Sequence, residues 1–167
     1  MMLSLLIVAA LQAAQPAQRP PDLFDRLEGE WVCRQEMAAS GPVIRRELWR
    51  GQEDGSVAGA IYTMPRGADG MEPPPETELV FSRQGRTPRL TWRPAGERPV
   101  YYRLARGTRE EAVFEAVGNG TPRIIGYRLV AGQRLEVMHG LANGSNRRWT
   151  YAPRDMRSAI PRCDGRR

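Results

Sequence analysis

One histidine and two cysteines set narrow limits on the chemistry this chain can do. A structural zinc site takes four Cys or His ligands, and the sequence has no CxxC and no His/Cys cluster, so no metal site is expected. Haem iron is different, since one protein ligand suffices on its proximal side. His139 therefore keeps a haem-binding or catalytic role open, against the plainer role of a structural residue at a strand end. For nucleophilic catalysis the chain offers little. Ser40, Ser56, Ser82, Ser145 and Ser158 fall mostly in turn-like segments, and there is no G-x-S-x-G. No catalytic residue is assigned, and enzyme activity stays undecided, with binding the better expectation.

Glu47 is the more informative acid. It stands two residues before Trp49, and alternate residues of a strand share a face. If Trp49 points inward, so does Glu47, and a buried, charged, unpaired carboxylate costs several kcal/mol. Arg45 or Arg103 could pair with it. The pair would serve as a polar anchor for a ligand head group, or as a buried ion pair fixing strand register; the third reading has Glu47 facing solvent. The aromatic set Trp92, Tyr101, Tyr102, Phe114 and Tyr127 suits interior lining and strand packing, or stacking on a ligand. The interior candidates for ligand contact are thus Glu47, Trp49, Trp92, Tyr101, Phe114 and His139. No cofactor is called for.

Short strands must position these residues. Asp22 could cap one helical turn carrying Leu23, Phe24 and Leu27, with Gly29 ending it. After that come runs rich in β-branched and aromatic residues, bounded by Gly, Pro, Asn and Asp. They are Glu30–Met37, Val43–Arg50, Val57–Thr63, Thr77–Ser82, Arg89–Arg93, Val100–Ala105, Ala112–Val117, Arg123–Val130, Arg134–Gly140 and Arg147–Tyr151. Links of two to six residues favour antiparallel neighbours. A meander of this length is expected to close on itself, since closure removes exposed edges. The fold class is all-β: an antiparallel up-and-down barrel of about ten strands, with a two-sheet sandwich as the rival. The long link Met64–Glu76, with three consecutive prolines, is a lid or a stiff spacer.

A helical turn, then Gly29-x-Trp31 on the first strand, then a meander resembles the lipocalin-like (calycin) barrels. In that family the tryptophan closes the base of the barrel, and an arginine near the end of the last strand packs over its indole. The resemblance assigns that place to Arg154, with Arg148 second, and gives Gly29 the tight passage from turn to strand. The segments "LEGEW", "RELW", "GSVAGAIYT", "AVFEA", "RIIGYRL" and "RRWTYAPR" resemble, more narrowly, a family of small exported bacterial proteins of unknown function with a lipocalin-like barrel. The likeness runs from about Phe24 to Arg154. Where relatives carry Asn-Pro…His-Asp-Phe-Pro, this chain reads "AVGNGTPR", so no role of that His or Asp carries over. The resemblance implies a fold and a location, and no activity.

The location has its own signal. Leu3 to Ala14 is nearly all apolar and uncharged, ends in small residues and meets Pro16, the pattern of a secretory signal peptide rather than a span of ~20 residues. The expected organisation is a signal peptide over 1–14, a linker over 15–21, a barrel over 22–154 and a basic tail over 155–167. The product is expected in the periplasm or secreted, with no membrane span after cleavage. All 25 basic residues are arginine and the net charge is +6. The arginines are spread among acidic residues, which argues against a nucleic-acid partner and leaves an acidic envelope surface and an unknown small molecule. An oxidising compartment favours a Cys33–Cys163 disulfide. Strand alternation, however, puts Cys33 on the inward face with Trp31, where a surface tail could not reach without a bulge or an open rim.

Overall fold

A computed structural model of the chain describes residues 22–37, 41–65, 73–85, 87–130, 133–155 and 160–164. The proposed signal peptide and linker, and the centre of the long link, lie outside these residues. A 3₁₀ turn, Phe24–Arg26, precedes ten strands: β1 Gly29–Met37, β2 Gly41–Gly51, β3 Val57–Pro65, β4 Thr77–Ser82 and β5 Arg89–Pro94. β6 Val100–Gly107, β7 Glu111–Ala116, β8 Ile124–Val130, β9 Arg134–Gly140 and β10 Asn146–Pro153 complete the set. Each strand pairs antiparallel with the next, and β1 pairs with β10, so the sheet is a closed barrel. Closure excludes the sandwich. Burial alternates along β4 and β9, the two-residue period of a sheet with one face packed and one wet.

The two ends of the barrel differ. At the base, where β1 begins and β10 ends, Phe24 inserts its ring into the barrel. It stacks on Phe81 at 4.0 Å and meets Trp49, Phe114 and Tyr127 edge-on at 5.3–5.8 Å. Trp49 in turn lies against β3 at its paired residue, Gly59. A Cβ at Gly59 would fall 2.8 Å from the indole Cζ3, so only bare backbone leaves room for it. Arg83 fastens the 3₁₀ turn from outside. Its guanidinium binds Asp22 at 2.6 Å and Asp25 at 2.5 Å, and sits 5.0 Å above the Phe81 ring. Asp22 also accepts a hydrogen bond from the Phe24 N–H at 2.9 Å, an Asx-type bond just ahead of the turn, whose N-cap is Leu23 and not Asp22 as expected.

Gly29 and Arg154 both sit at this base, for reasons other than those first inferred. A Cβ on Gly29 would meet nothing within 4 Å; what demands glycine is its φ of +123°. Trp31 pairs with Pro153, so Arg154 falls one residue past it and faces outward with Glu30. Its guanidinium binds Glu30 at 2.7 Å instead of covering the Trp31 indole, and Arg46 shares the same carboxylate at 2.8 Å. The indole N–H donates to the Leu27 carbonyl at 2.9 Å.

The seam between β1 and β10 is the short side of the barrel. Only Trp31↔Pro153 and Val32↔Ala152 pair there, against nine pairs between β1 and β2. Beyond Val32 the strands part, and the tail enters the gap. Arg34 N–H donates to the Pro161 carbonyl, Cys163 N–H to Arg34, and Thr150 N–H to Cys163, at 2.7–2.9 Å. The Cys33–Cys163 disulfide is formed, with 4.9 Å between Cα atoms, and both cysteines are buried. The conflict over Cys33 is thereby resolved: it faces inward, and the tail reaches it because the sheet is open at that point.

Candidate functional site

Above the aromatic base the interior turns polar. β2 sends Val43, Arg45, Glu47 and Trp49 to the inner face by alternation. Glu47 is fully buried and accepts a hydrogen bond from the Trp49 indole N–H at 3.0 Å. Of its two expected partners, Arg45 is the one inside. Arg103 lies on the outer face, exposed, and pairs with Glu115 at 3.2 Å. Arg45 donates from Nε to the Tyr151 hydroxyl at 3.0 Å and from Nη1 to Glu76 at 3.4 Å, with its guanidinium 5.1 Å above the Trp149 ring. His139, on β9, is held edge-on between Trp149 at 4.6 Å and Trp92 at 4.9 Å.

Burial governs the electrostatics here. It pushes the Glu47 carboxyl up to about 7, against the opposing pull of Arg45. It pushes His139 down to about 3, helped by the charges of Arg45 and Arg147, so the imidazole is neutral. Burial works against the charge of Arg45, but the Tyr151 hydroxyl and the Glu47 and Glu76 carboxylates outweigh it and raise its pKa. Tyr127 lies beside Glu47 and is driven well above its ordinary value, chiefly by burial. The Tyr127 hydroxyl bonds to Glu47, whereas one buried polar atom in this region, His139 Nε2, has no hydrogen-bond partner. A buried polar atom left so costs about 1–3 kcal/mol, and such atoms are rare in native proteins.

Where β1 and β10 part, a groove of about 540 Å³ opens to solvent. Arg34 of β1, Arg147, Arg148 and Trp149 of β10, and Arg162 of the tail line it, and Arg45 reaches it from the interior. Glu36 and Asp164 are its acidic residues, bound to Arg34 at 3.4 Å and to Arg162 at 3.9 Å. Two other crevices flank the 3₁₀ turn at the base. The larger, of about 980 Å³, is lined by Trp31, Glu28, Glu30 and Arg154 among others; the smaller, of about 290 Å³, by Phe24, Phe81 and Leu104.

The inward candidates Glu47, Trp49, Trp92, Phe114 and His139 are all buried. Trp49 and Phe114 belong to the aromatic base, whereas Glu47, Trp92 and His139 belong to the polar half. Tyr101 is misassigned: it is 56% exposed, and the interior tyrosine of β6 is Tyr102, whose hydroxyl donates to the Pro122 carbonyl at 2.8 Å. The dipeptide "YY" gives no hint of which is inside; parity with Leu104 would have chosen Tyr102. Trp149, Tyr151 and the groove arginines were not singled out as interior, although alternation in "RRWTY" places Trp149 and Tyr151 on one face. Among the described residues no three His, Cys, Asp or Glu side chains converge as a metal site would require. No family model, curated protein or solved structure matches the chain.

Proposed function

We propose that this chain is an exported, lipocalin-like barrel that binds or carries one small apolar or amphipathic molecule in the polar half of its interior. The observation that carries the reading is the buried polar cluster of Glu47, Tyr127 and His139, with His139 Nε2 unpartnered, in the same half of the barrel as Arg45. A site built to hold a ligand leaves polar groups for the ligand to satisfy, while Trp92 and Trp149 offer apolar surface for its body. The adjoining groove has the volume of a small-molecule site. Export is supported by the apolar first segment, and the disulfide is compatible with an oxidising compartment. The lipocalin-like assignment rests on Gly29-x-Trp31, the 3₁₀ turn before it and the up-and-down order of strands.

A second reading, a filled barrel serving as a structural or interaction module of the envelope, draws on the packed base around Phe24. The haem or catalytic reading draws only on His139 Nε2. Thermal unfolding separates binder from filled barrel. Protein purified from its own source is compared with the same protein unfolded, stripped and refolded. A binder loses unfolding temperature on stripping and regains it when the stripped extract is returned, because a ligand held by the native state alone stabilises it. Identical transitions before and after stripping would favour the filled barrel.

A further inference from the structure

We infer that the groove at the β1–β10 seam is the entry and head-group site for an anionic amphipath, one whose carboxylate, phosphate or sulfate is held by Arg147 over Arg45, with Arg148 at the outer rim. The inference rests on the binder reading and narrows it to a charge class and a route.

Three features of the groove point this way. Its charge is one-sided and partly unspent. Arg34 and Arg162 have carboxylate partners in the groove, but among the described residues none lies within ion-pairing distance of Arg147 or Arg148. Adjacent on β10, they alternate: Arg147 has the inward parity of Trp149 and Arg148 the outward one. Both are exposed and line the groove, and it is Arg147 that presents its forked donors to an oxyanion beside Arg45 while Arg148 flanks the rim. Next, the groove does not stop at the surface. The Arg45 side chain is only 14% exposed, yet it both lines the groove and bonds Tyr151 inside. An anion placed there extends the polar chain from solvent to Glu47. Finally, the apolar wall lies where a chain attached to that anion would run. Trp149 lines the groove, and its ring meets His139, which meets Trp92 within.

The fold explains why the site lies at this seam. Every other pair of neighbouring strands keeps at least four residue pairs, whereas β1 and β10 part after two. The tail occupies the gap only in part, pinned by Cys33–Cys163, and it contributes Arg162 as the facing wall. The opening is therefore lateral, between the last residues of β1 and the first of β10.

The test is isothermal calorimetry on the full disulfide-bonded chain with three probes: decanoate, decanol and inorganic phosphate. Decanoate is expected to bind at least ~10-fold more tightly than decanol, the worth of one charge-assisted hydrogen bond. Added salt is expected to weaken decanoate and leave decanol unchanged. The double variant Arg147→Gln, Arg148→Gln should lose ~10-fold in decanoate affinity, keep its decanol affinity, and unfold at the parent temperature. Phosphate binding as tightly as decanoate would also support the anion site, with a bare anion as its occupant and no share for the apolar wall. Equal binding of decanoate and decanol, indifferent to the double variant, would overturn the anion site while leaving the barrel a binder. Binding of none of the three would overturn the inference, and the stripping experiment above would then decide the parent reading separately.

Discussion

Glu47 and His139 share the polar half of the barrel and titrate against each other. Burial raises the Glu47 carboxyl from 4.5 to about 7, so between those values the folded chain holds a proton that the unfolded chain has lost. Its contribution to stability falls as pH rises through that window. Burial lowers His139 from 6.5 to about 3, so in that range the unfolded chain takes up a proton that the folded chain refuses. Its contribution falls as pH drops. The opposing slopes overlap between pH 4.5 and 6.5, and neither exceeds ~1.4 kcal/mol per pH unit. Urea denaturation of Glu47→Gln should therefore show stability falling more steeply with acid than in the parent. His139→Asn should show the reverse, stability falling as pH rises toward 7. Variants that both keep the parent profile would refute this account of burial. Arg154 makes a quieter prediction. Its bond to Glu30 is an exposed ion pair, so Arg154→Ala should cost under ~1 kcal/mol in the same assay. A loss beyond ~2 kcal/mol would mean packing on Trp31 after all. Alternation in "RELW" was enough to bring Glu47 inside. It could not reveal that Tyr151, 106 residues away, would hold Arg45, because cross-barrel partners depend on closure.

At the scale of elements, every strand was legible, because turn residues bracket β-branched and aromatic runs from end to end. Most observed bounds that differ extend the expected ones by a residue or two where pairing continues past the apolar run, as at Gly41 and Pro153, while β7 stops one residue short at Ala116 and β8 starts one late at Ile124. The tail was not legible. Nothing in "IPRC" reads as a strand, and its place follows from a gap that appears only once β1 and β10 meet. Arg83 was missed for a similar reason, since a loop arginine acquires its role only from the fold that brings Asp22 and Asp25 to it. The tail gives a sharp prediction. The disulfide links residues 130 apart, and removing it as Cys33→Ala, Cys163→Ala should cost ~2–5 kcal/mol by guanidinium denaturation. Hydrogen exchange should then quicken at the Arg34, Thr150 and Cys163→Ala amides, which bond across the seam, and stay slow in the β2–β3 ladder. Uniform acceleration through all ten strands would show that the disulfide guards the whole barrel and not the seam.

The whole molecule is a barrel whose two halves are built differently. Its base is filled with rings and fastened from outside by Arg83, the arrangement of a part made to stay shut. Its upper half holds charge, an unpartnered imidazole nitrogen and two tryptophans, and opens sideways beside a pinned tail. The arginine-only composition, spread along the sequence, becomes concentrated by folding: residues from both ends of the chain meet in one groove. A sequence reading sees the even spread, and only the closed sheet gathers it into a groove. The central claim, that this upper half holds a small molecule, is tested most directly by native mass spectrometry of the protein isolated from its own compartment under gentle ionisation. The account predicts a second species heavier than the chain by one small acidic amphipath, released on denaturation and diminished in the Arg147→Gln, Arg148→Gln variant. A single peak at the mass of the disulfide-bonded chain alone, reproduced across preparations, would contradict it.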